Sequence, residues 1–399
     1  MSKSQVCPHS QRRSDRPGEA AAPPVEVRGG VWHIRSLPTA RAILRERGAT
    51  TQAGFNAEMV HDSPIRMPML YADGDAHRDQ RTKVARYFAP RTVTTRYREF
   101  IARKADELVD AMASQGVVDL SEGSMLFSVE VAAQVLGLTN SPSAAMSRRL
   151  ERMLVLDFEP PGQERTPPNP IVRVLKTARS QVPMWAFYLL DVRPAIKARR
   201  AEPQEDVISH LIAEGYSDVE ILTESVTFGA AGMITTREFI SMATWHLLAN
   251  PELRQTYLDG EEHQRLGILH EILRLEPVVG HLYRRAVTEI TVPGPDGEML
   301  VIPPGTVLDL YIRPVNADIG EDGLAVCPGR DLPKGVGPEV LSFGDGAHRC
   351  PGNSLAIHET DILLQRLLRR EVTLLSEPVV DWLDLIAGYE VRKVMLKVS

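Results

Sequence analysis

Apolar residues recur at helical spacing over residues 218–248, a run that starts behind Ser217 as an N-cap and stops before Asn250-Pro251. The run is too apolar to lie on a surface, so it predicts a helix buried in the middle of the molecule. Its centre, Phe228-Gly229-Ala230-Ala231-Gly232-Met233-Ile234-Thr235-Thr236, gathers small side chains at one level. Such a cluster either lets helices approach closely or makes space for a flat ligand, and the pattern alone leaves both readings open. Shorter helical patterns fall at 37–46, 79–87, 98–112, 128–136, 252–258 and 263–275. Residues 25–27 and 31–34 flank Gly29-Gly30 as a β-hairpin, and β-like segments at 288–292 and 307–312 alternate with Pro-Gly turns. Residues 1–24 carry Ser, Arg, Pro and Ala without periodicity and are expected to be a mobile tail. A proline-dense segment at 159–170 cannot be helical throughout.

Composition narrows the class without naming it. The 399 residues, 43% of them hydrophobic, are enough for a large core, and length alone suggests two or three domains. A net charge of −6, with both signs interspersed, gives no global field for nucleic acid or an anionic membrane. No stretch reaches the roughly 18 apolar residues that cross a bilayer, and no signal peptide opens the chain. A soluble, cytoplasmic protein is the expectation. Three scattered cysteines, Cys7, Cys327 and Cys350, suit reduced thiols better than a disulfide scaffold, and Cys7 with His9 is too sparse a pair to hold zinc.

The chemistry is concentrated near the C-terminus. Phe343-Gly344-Asp345-Gly346-Ala347-His348-Arg349-Cys350-Pro351-Gly352 sets one cysteine in a glycine-rich loop just ahead of a helical stretch. Glycine-turn N–H groups and a following helix N-terminus stabilise a thiolate, the form of cysteine that binds metal. A buried structural cysteine is the plain alternative for a lone Cys beside glycine. The joint pattern of Phe343, Gly344, Gly346, His348, Cys350 and Gly352 resembles the haem-binding loop of the cytochrome P-450 family, and the likeness runs from about residue 30 to the C-terminus.

That resemblance implies one catalytic domain over 25–399, mainly α with a small β lobe (α+β), carrying haem b (iron protoporphyrin IX). By the same resemblance Cys350 is the axial iron ligand, Gly344, Gly346 and Gly352 let the backbone approach sulfur, and Phe343 packs beside it. Haem propionates need donors. His77 and Arg81 stand one helical turn apart where the family carries its clamp, and His348 and Arg284 occupy further propionate positions. Glu271 and Arg274, also one turn apart, resemble a buried pair that locks the cysteine loop through Arg330. Arg78, Lys83, Arg86, Arg91 and Arg349 would face a ferredoxin- or flavodoxin-type electron donor. Pocket walls, assigned by position, are Met67, Met69, Leu70, Ala231, Thr235, Val278, Val279, His281 and Leu282, a mainly apolar set.

Two departures from the family pattern stand out. Relatives carry a helix before the first strand, and this chain has too few structured residues there, so that helix is expected to be missing or replaced. Relatives also place an acid before the threonine of the central helix, and this chain has Ile234 there, with Thr235 retained. Thr235 is expected to kink the helix and hold oxygen or water over the iron, or else to bond only the preceding turn. The expected function is a haem-thiolate monooxygenase that oxidises a small, mainly hydrophobic substrate with dioxygen and two electrons. Loss of the acid leaves open a peroxide-using, radical-coupling, desaturating or dealkylating enzyme. A non-catalytic haem-binding scaffold is the alternative from another class.

Overall fold

A continuous helical rod over 218–249 runs through the computed structural model, which describes residues 12–14, 22–54, 57, 65–154, 182–320, 322–383 and 387–399. The rod begins as predicted: Ser217 accepts from Glu220 N–H, and the Glu220 carboxylate accepts from Ser217 N–H at 2.8 Å. It ends where Asn250 caps the following helix, accepting from Leu253 N–H at 3.0 Å. From Thr236 to Leu247 every residue is buried, so this half packs on all sides. Over Ala230–Ile234 the helix widens into a π-turn.

Helices Arg98–Gln115, Leu120–Leu136, Glu262–Leu275 and Asn353–Leu367 share one apolar core with the rod. The helix expected at 128–136 starts earlier, at Leu120, where the Asp119 side chain caps Ser121 N–H. Its first turns are buried nearly all round and so carry no polar stripe to read. The helix expected at 79–87 likewise begins at Gly74, because its outer face is almost wholly polar and the periodicity is weak. Helices Ser143–Leu154, Arg193–Ala201 and Val207–Ala213 were not expected from the pattern.

The β lobe is a five-stranded sheet in the order Val25–Arg28, Val31–Ile34, Val307–Tyr311, His281–Ala286, Thr50–Ala53. Val31–Ile34 runs parallel to Val307–Tyr311, and the other pairs are antiparallel. The predicted hairpin at Gly29-Gly30 is present, both glycines at positive φ. The register sets Gln52 directly opposite Arg284, a pairing that matters below. A second apolar cluster, built from Ile34, Ile43, Leu308, Leu310 and neighbours, joins this sheet to helix Leu37–Arg45.

Three expectations about the chain's ends and thiols need restating. Residues 12–14, placed within the expected tail, are anchored: Arg12 Nε donates to Leu275 O at 2.9 Å, and the Arg13 and Ser14 N–H groups and the Ser14 hydroxyl all donate to the Glu276 carboxylate. Glu276 is a buried acid that needs those donors, so it draws the segment inward. Before Val25 only residues 12–14 and 22–24 are described, so the stretch where relatives carry their first helix lies largely outside the described residues. Cys327 is disulfide-bonded, against the reading that all three thiols stay reduced, and Cys350 is the free cysteine among the described residues. Cys7, His9 and the proline-dense segment lie outside the described residues. No described helix is long and apolar enough to cross a membrane.

Candidate active site

Cys350 sits between a strained glycine loop and a helix start. Gly344 and Gly346 hold φ of +70° and +66°, the left-handed region that L side chains disfavour. A Cβ on Gly346 would lie 2.0 Å from Leu44 O, so only glycine lets this loop rest on helix Leu37–Arg45. Cys350 N–H donates to Phe343 O at 2.8 Å and closes the loop, while Phe343 packs on the main core. Gly352 then caps helix Asn353–Leu367. Burial pushes the Cys350 thiol up, and the N–H groups of Gly352 and Asn353 with the charges of Arg81 and Arg349 push it back down. Those are the partners a metal-bound thiolate keeps.

The support trio meets as its spacing suggested. Arg274 Nε and Nη2 each reach a Glu271 oxygen at 2.8 Å, and Arg330 Nε reaches Glu271 at 3.3 Å. Arg274 also donates to Asn316 O, Gly323 O and Ala325 O, and Glu271 accepts from Cys327 N–H at 2.9 Å. The pair is fully buried, every charge is answered, and the segments leading to the cysteine loop are tied to helix Glu262–Leu275.

Around the other side of the loop two histidines and two arginines converge. His77 and His348 stack with ring centroids 4.0 Å apart, and His348 Nε2 lies 3.0 Å from Asp73 Oδ1. Burial, with His348 and Arg81 next, lowers the His77 pKa to about 4. Arg284 is buried; its hydrogen bonds go to Gln52 Oε1 and Tyr283 O, and burial lowers its pKa to about 10 with Asp73 opposing. Arg81 donates to Arg349 O. Among the described residues, four nitrogen-bearing side chains thus crowd together with one neighbouring carboxylate, Asp73. That excess of buried donors suits a ligand bringing carboxylates of its own. Asp73 and Gln52 went unnoticed in the sequence; Asp73-Gly74 ahead of a helix was the available signal for one, and nothing local marks Gln52.

The small residues of the rod divide between the two readings. A Cβ at Gly229 would make ordinary contact with Leu150 and Met233 at 3.7 Å, whereas a Cβ at Gly232 would meet nothing within 4 Å and Ala231 is exposed, so this level borders open space. Thr235 Oγ1 donates to Ala231 O at 2.6 Å, at the end of the π-turn. Ile234 is buried in the core, turned away from that space. Arg237 and Glu238 are paired with each other, and Glu238 accepts from Val391 N–H at 2.7 Å, so neither serves the open face. Glu359, missed in the sequence, is buried on helix Asn353–Leu367 with Oε2 unpartnered and its other contact to Thr236. Burial pushes its pKa well above the ordinary carboxylate range.

The structure places the expected pocket walls in different surroundings. His281 is a satisfied sheet residue: its Nδ1 lies 2.7 Å from Asp309 Oδ1, and its ring stacks on Tyr283. Strand alternation sends His281 and Tyr283 to one face and Leu282 and Arg284 to the other. Leu282 does approach the cysteine loop, its Cδ1 lying 3.6 Å from the Cβ position of Gly344. Val278 is buried in the main core and Val279 packs against it. Met69 is buried, with its N–H donating to Glu224 Oε1 at 2.9 Å.

The Cytochrome P450 family pattern matches residues 267–377, which include the Glu271–Arg274 pair and the cysteine loop. Cytochrome P450-SOY of Streptomyces griseus is 26% identical over 360 residues, covering 85% of this chain and 79% of that protein. Erythromycin C-12 hydroxylase of Saccharopolyspora erythraea is 25% identical over 353 residues, covering 86% and 82%. A solved structure of a P450 EryK mutant with erythromycin B shares the fold at a TM-score of 0.75 and 22% identity, covering 95% of this chain and 94% of that one. The matched pattern and these relatives make the chain similar to the cytochrome P450 haem monooxygenases, and the solved structures share its fold. Haem is the cofactor of that family, and the residues present fit it: a thiol at a helix start, an open face at Ala231 and Gly232, and a donor-rich cluster short of carboxylates.

Proposed function

We propose that Cys350 ligates the haem iron, that His77, Arg81, Arg284 and His348 receive the propionates, and that the enzyme inserts oxygen into a small, mainly hydrophobic substrate. The observation carrying this reading is the Cys350 sulfur held by the Gly352 and Asn353 N–H groups at a helix start. Bound haem supplies dioxygen activation, with thiolate electron donation favouring O–O cleavage. Thr235 donates to Ala231 O at the widened turn and leaves its hydroxyl oxygen free to accept a hydrogen bond from the open face. With Ile234 in the core, the proton source is the neutral Glu359 carboxyl acting through Thr236.

The donor is a ferredoxin- or flavodoxin-type protein in a cytoplasmic setting, docking on the side of Arg78, Lys83, Arg86, Arg91 and Arg349. Much of that charge is answered locally: Arg78 pairs with Asp75, Lys83 with Glu214 and Arg349 with Glu339. Steering by this face is therefore modest. Relatives named erythromycin C-12 hydroxylase and pentalenic acid synthase favour a natural-product substrate. A screen for substrates that shift the iron spin state, followed by turnover under labelled dioxygen with reduced ferredoxin, tests the reading. One labelled oxygen in the product supports it; full turnover from peroxide with no electron donor would replace it by the second reading, which the burial of Ile234 favours.

A further inference from the structure

Away from the cysteine loop, a cavity of about 330 Å³ opens between the rod, helix Gly74–Phe88 and helix Val207–Ala213. Its floor is Glu224, 3% exposed. Met69 N–H fixes Glu224 Oε1 at 2.9 Å, one turn from where Arg66 N–H is held by Glu220 at 2.9 Å, so the carboxylate cannot turn away. Glu224 Oε2 has no partner, and neither has the buried Oε1 of Gln80, which lines the same cavity. Both unanswered atoms are acceptors. What is missing is a donor.

Charge and shape say which donor. Lys83 is already engaged by Glu214 at 2.6 Å and Asp79 at 3.0 Å, and Arg66 stacks over Tyr216 at 4.0 Å. His210 is held neutral by burial, with Arg86 adding to the effect. The two lining cations, Arg66 and Lys83, face three carboxylates, Asp79, Glu214 and Glu224, which leaves one negative charge when Glu224 is ionised. The remaining walls, Met69, Val84, Leu211 and Phe228, are apolar or aromatic. We propose that this cavity binds a primary ammonium group carried on a short apolar body, the ammonium donating to Glu224 Oε2 and Gln80 Oε1. The cavity shares Met69 with the expected substrate-pocket walls, but the proposal rests on Glu224 and Gln80 and stands whether or not the haem reading holds.

Burial raises the Glu224 pKa to about 7, with Met69 N–H and Arg66 opposing. Affinity for an ammonium therefore strengthens as pH rises through that value, while a primary amine stays protonated. Of the other titratable groups facing the cavity, which include Asp79 and Tyr216, Glu214 is lowered by its bond from Lys83, Lys83 is raised by Glu214 and Asp79, Arg66 is raised by Tyr216, and burial lowers His210, so none of these four shifts moves a group out of its ordinary charge state near neutral pH.

The test is calorimetric titration of the holoenzyme with 2-phenylethylammonium, against 2-phenylethanol and 3-phenylpropionate, while the Soret band is recorded. The expected result is one saturable site that prefers the ammonium, causes no Soret shift, and weakens roughly 10–100-fold in Glu224→Gln, which keeps an acceptor for Met69 N–H. Ala76→Phe, which fills the mouth of the cavity, is expected to abolish it. Equal affinity in Glu224→Gln, equal binding of the alcohol or the carboxylate, or binding seen only as nitrogen ligation of the iron would overturn the proposal.

Discussion

Glu359 and Ile234 exchange the roles that their sequence positions suggest. Ile234 occupies the slot of the helix acid but points into the core, and Glu359, with no motif around it, is the carboxyl that touches the rod at Thr236. A buried acid with an unpartnered oxygen is costly unless it stays neutral, and a neutral acid is a proton donor. Glu359→Gln keeps the shape and removes that proton. Product formed per electron consumed is expected to fall by roughly 10-fold or more, with the reduced carbon monoxide spectrum unchanged. Unaltered coupling would show that protons arrive by another route. The same residue marks the limit of what the sequence disclosed. Cys350, the glycines, the His77–Arg81 spacing and the Glu271–Arg274 pair are local patterns and were readable. Asp73, Gln52, Glu224 and Glu359 acquire meaning only from neighbours 21 to 232 residues away, or from burial.

Among the elements, the rod was the most legible, since its cap, its stop and its apolar run are written in order. The π-turn at Ala230–Ile234 was not, because no local residue pattern marks it: the bond from Thr235 Oγ1 to Ala231 O has counterparts at Thr227 and Thr244, where the helix stays regular. The widened turn settles which way each neighbour faces: Ala231 outward, Met233 and Ile234 inward. Ile234→Asp, which restores the family's acid by sequence, would therefore bury a carboxylate among apolar side chains. A loss of about 3 kcal/mol or more is expected in urea unfolding, without improved coupling. Full stability with better coupling would mean that the side chain reaches the open face after all. His281 teaches the same lesson in a strand, where position near the pocket was readable and the alternation that turns it to Asp309 was not.

Across the whole molecule, the predicted α-rich body with a small sheet is present, and the unexpected feature is how the N-terminal residues close it. Glu276, fully buried, lies 2.9 Å from His246 Nε2 and accepts from Arg13 and Ser14. Burial raises its pKa, but His246, Ser14 and Arg13 outweigh that and hold it below the ordinary 4.5. The folded pKa lies below the unfolded one, so this stabilisation is complete above the unfolded value and is lost as pH falls through the folded value. In urea titrations below about pH 4.5, the wild type is expected to lose stability more steeply than Glu276→Gln, although it is the more stable of the two near neutrality. Parallel pH profiles would remove Glu276 as the acid-sensitive tie.

The central claim is a thiolate on iron at Cys350, and the absorption spectrum of the reduced, carbon monoxide-treated protein tests it most directly. Wild type is expected to show the red-shifted Soret band of thiolate ligation, and Cys350→His to lose it while still binding haem. A wild-type spectrum of histidine-ligated or free haem, or a Cys350→His spectrum identical to wild type, would contradict the account.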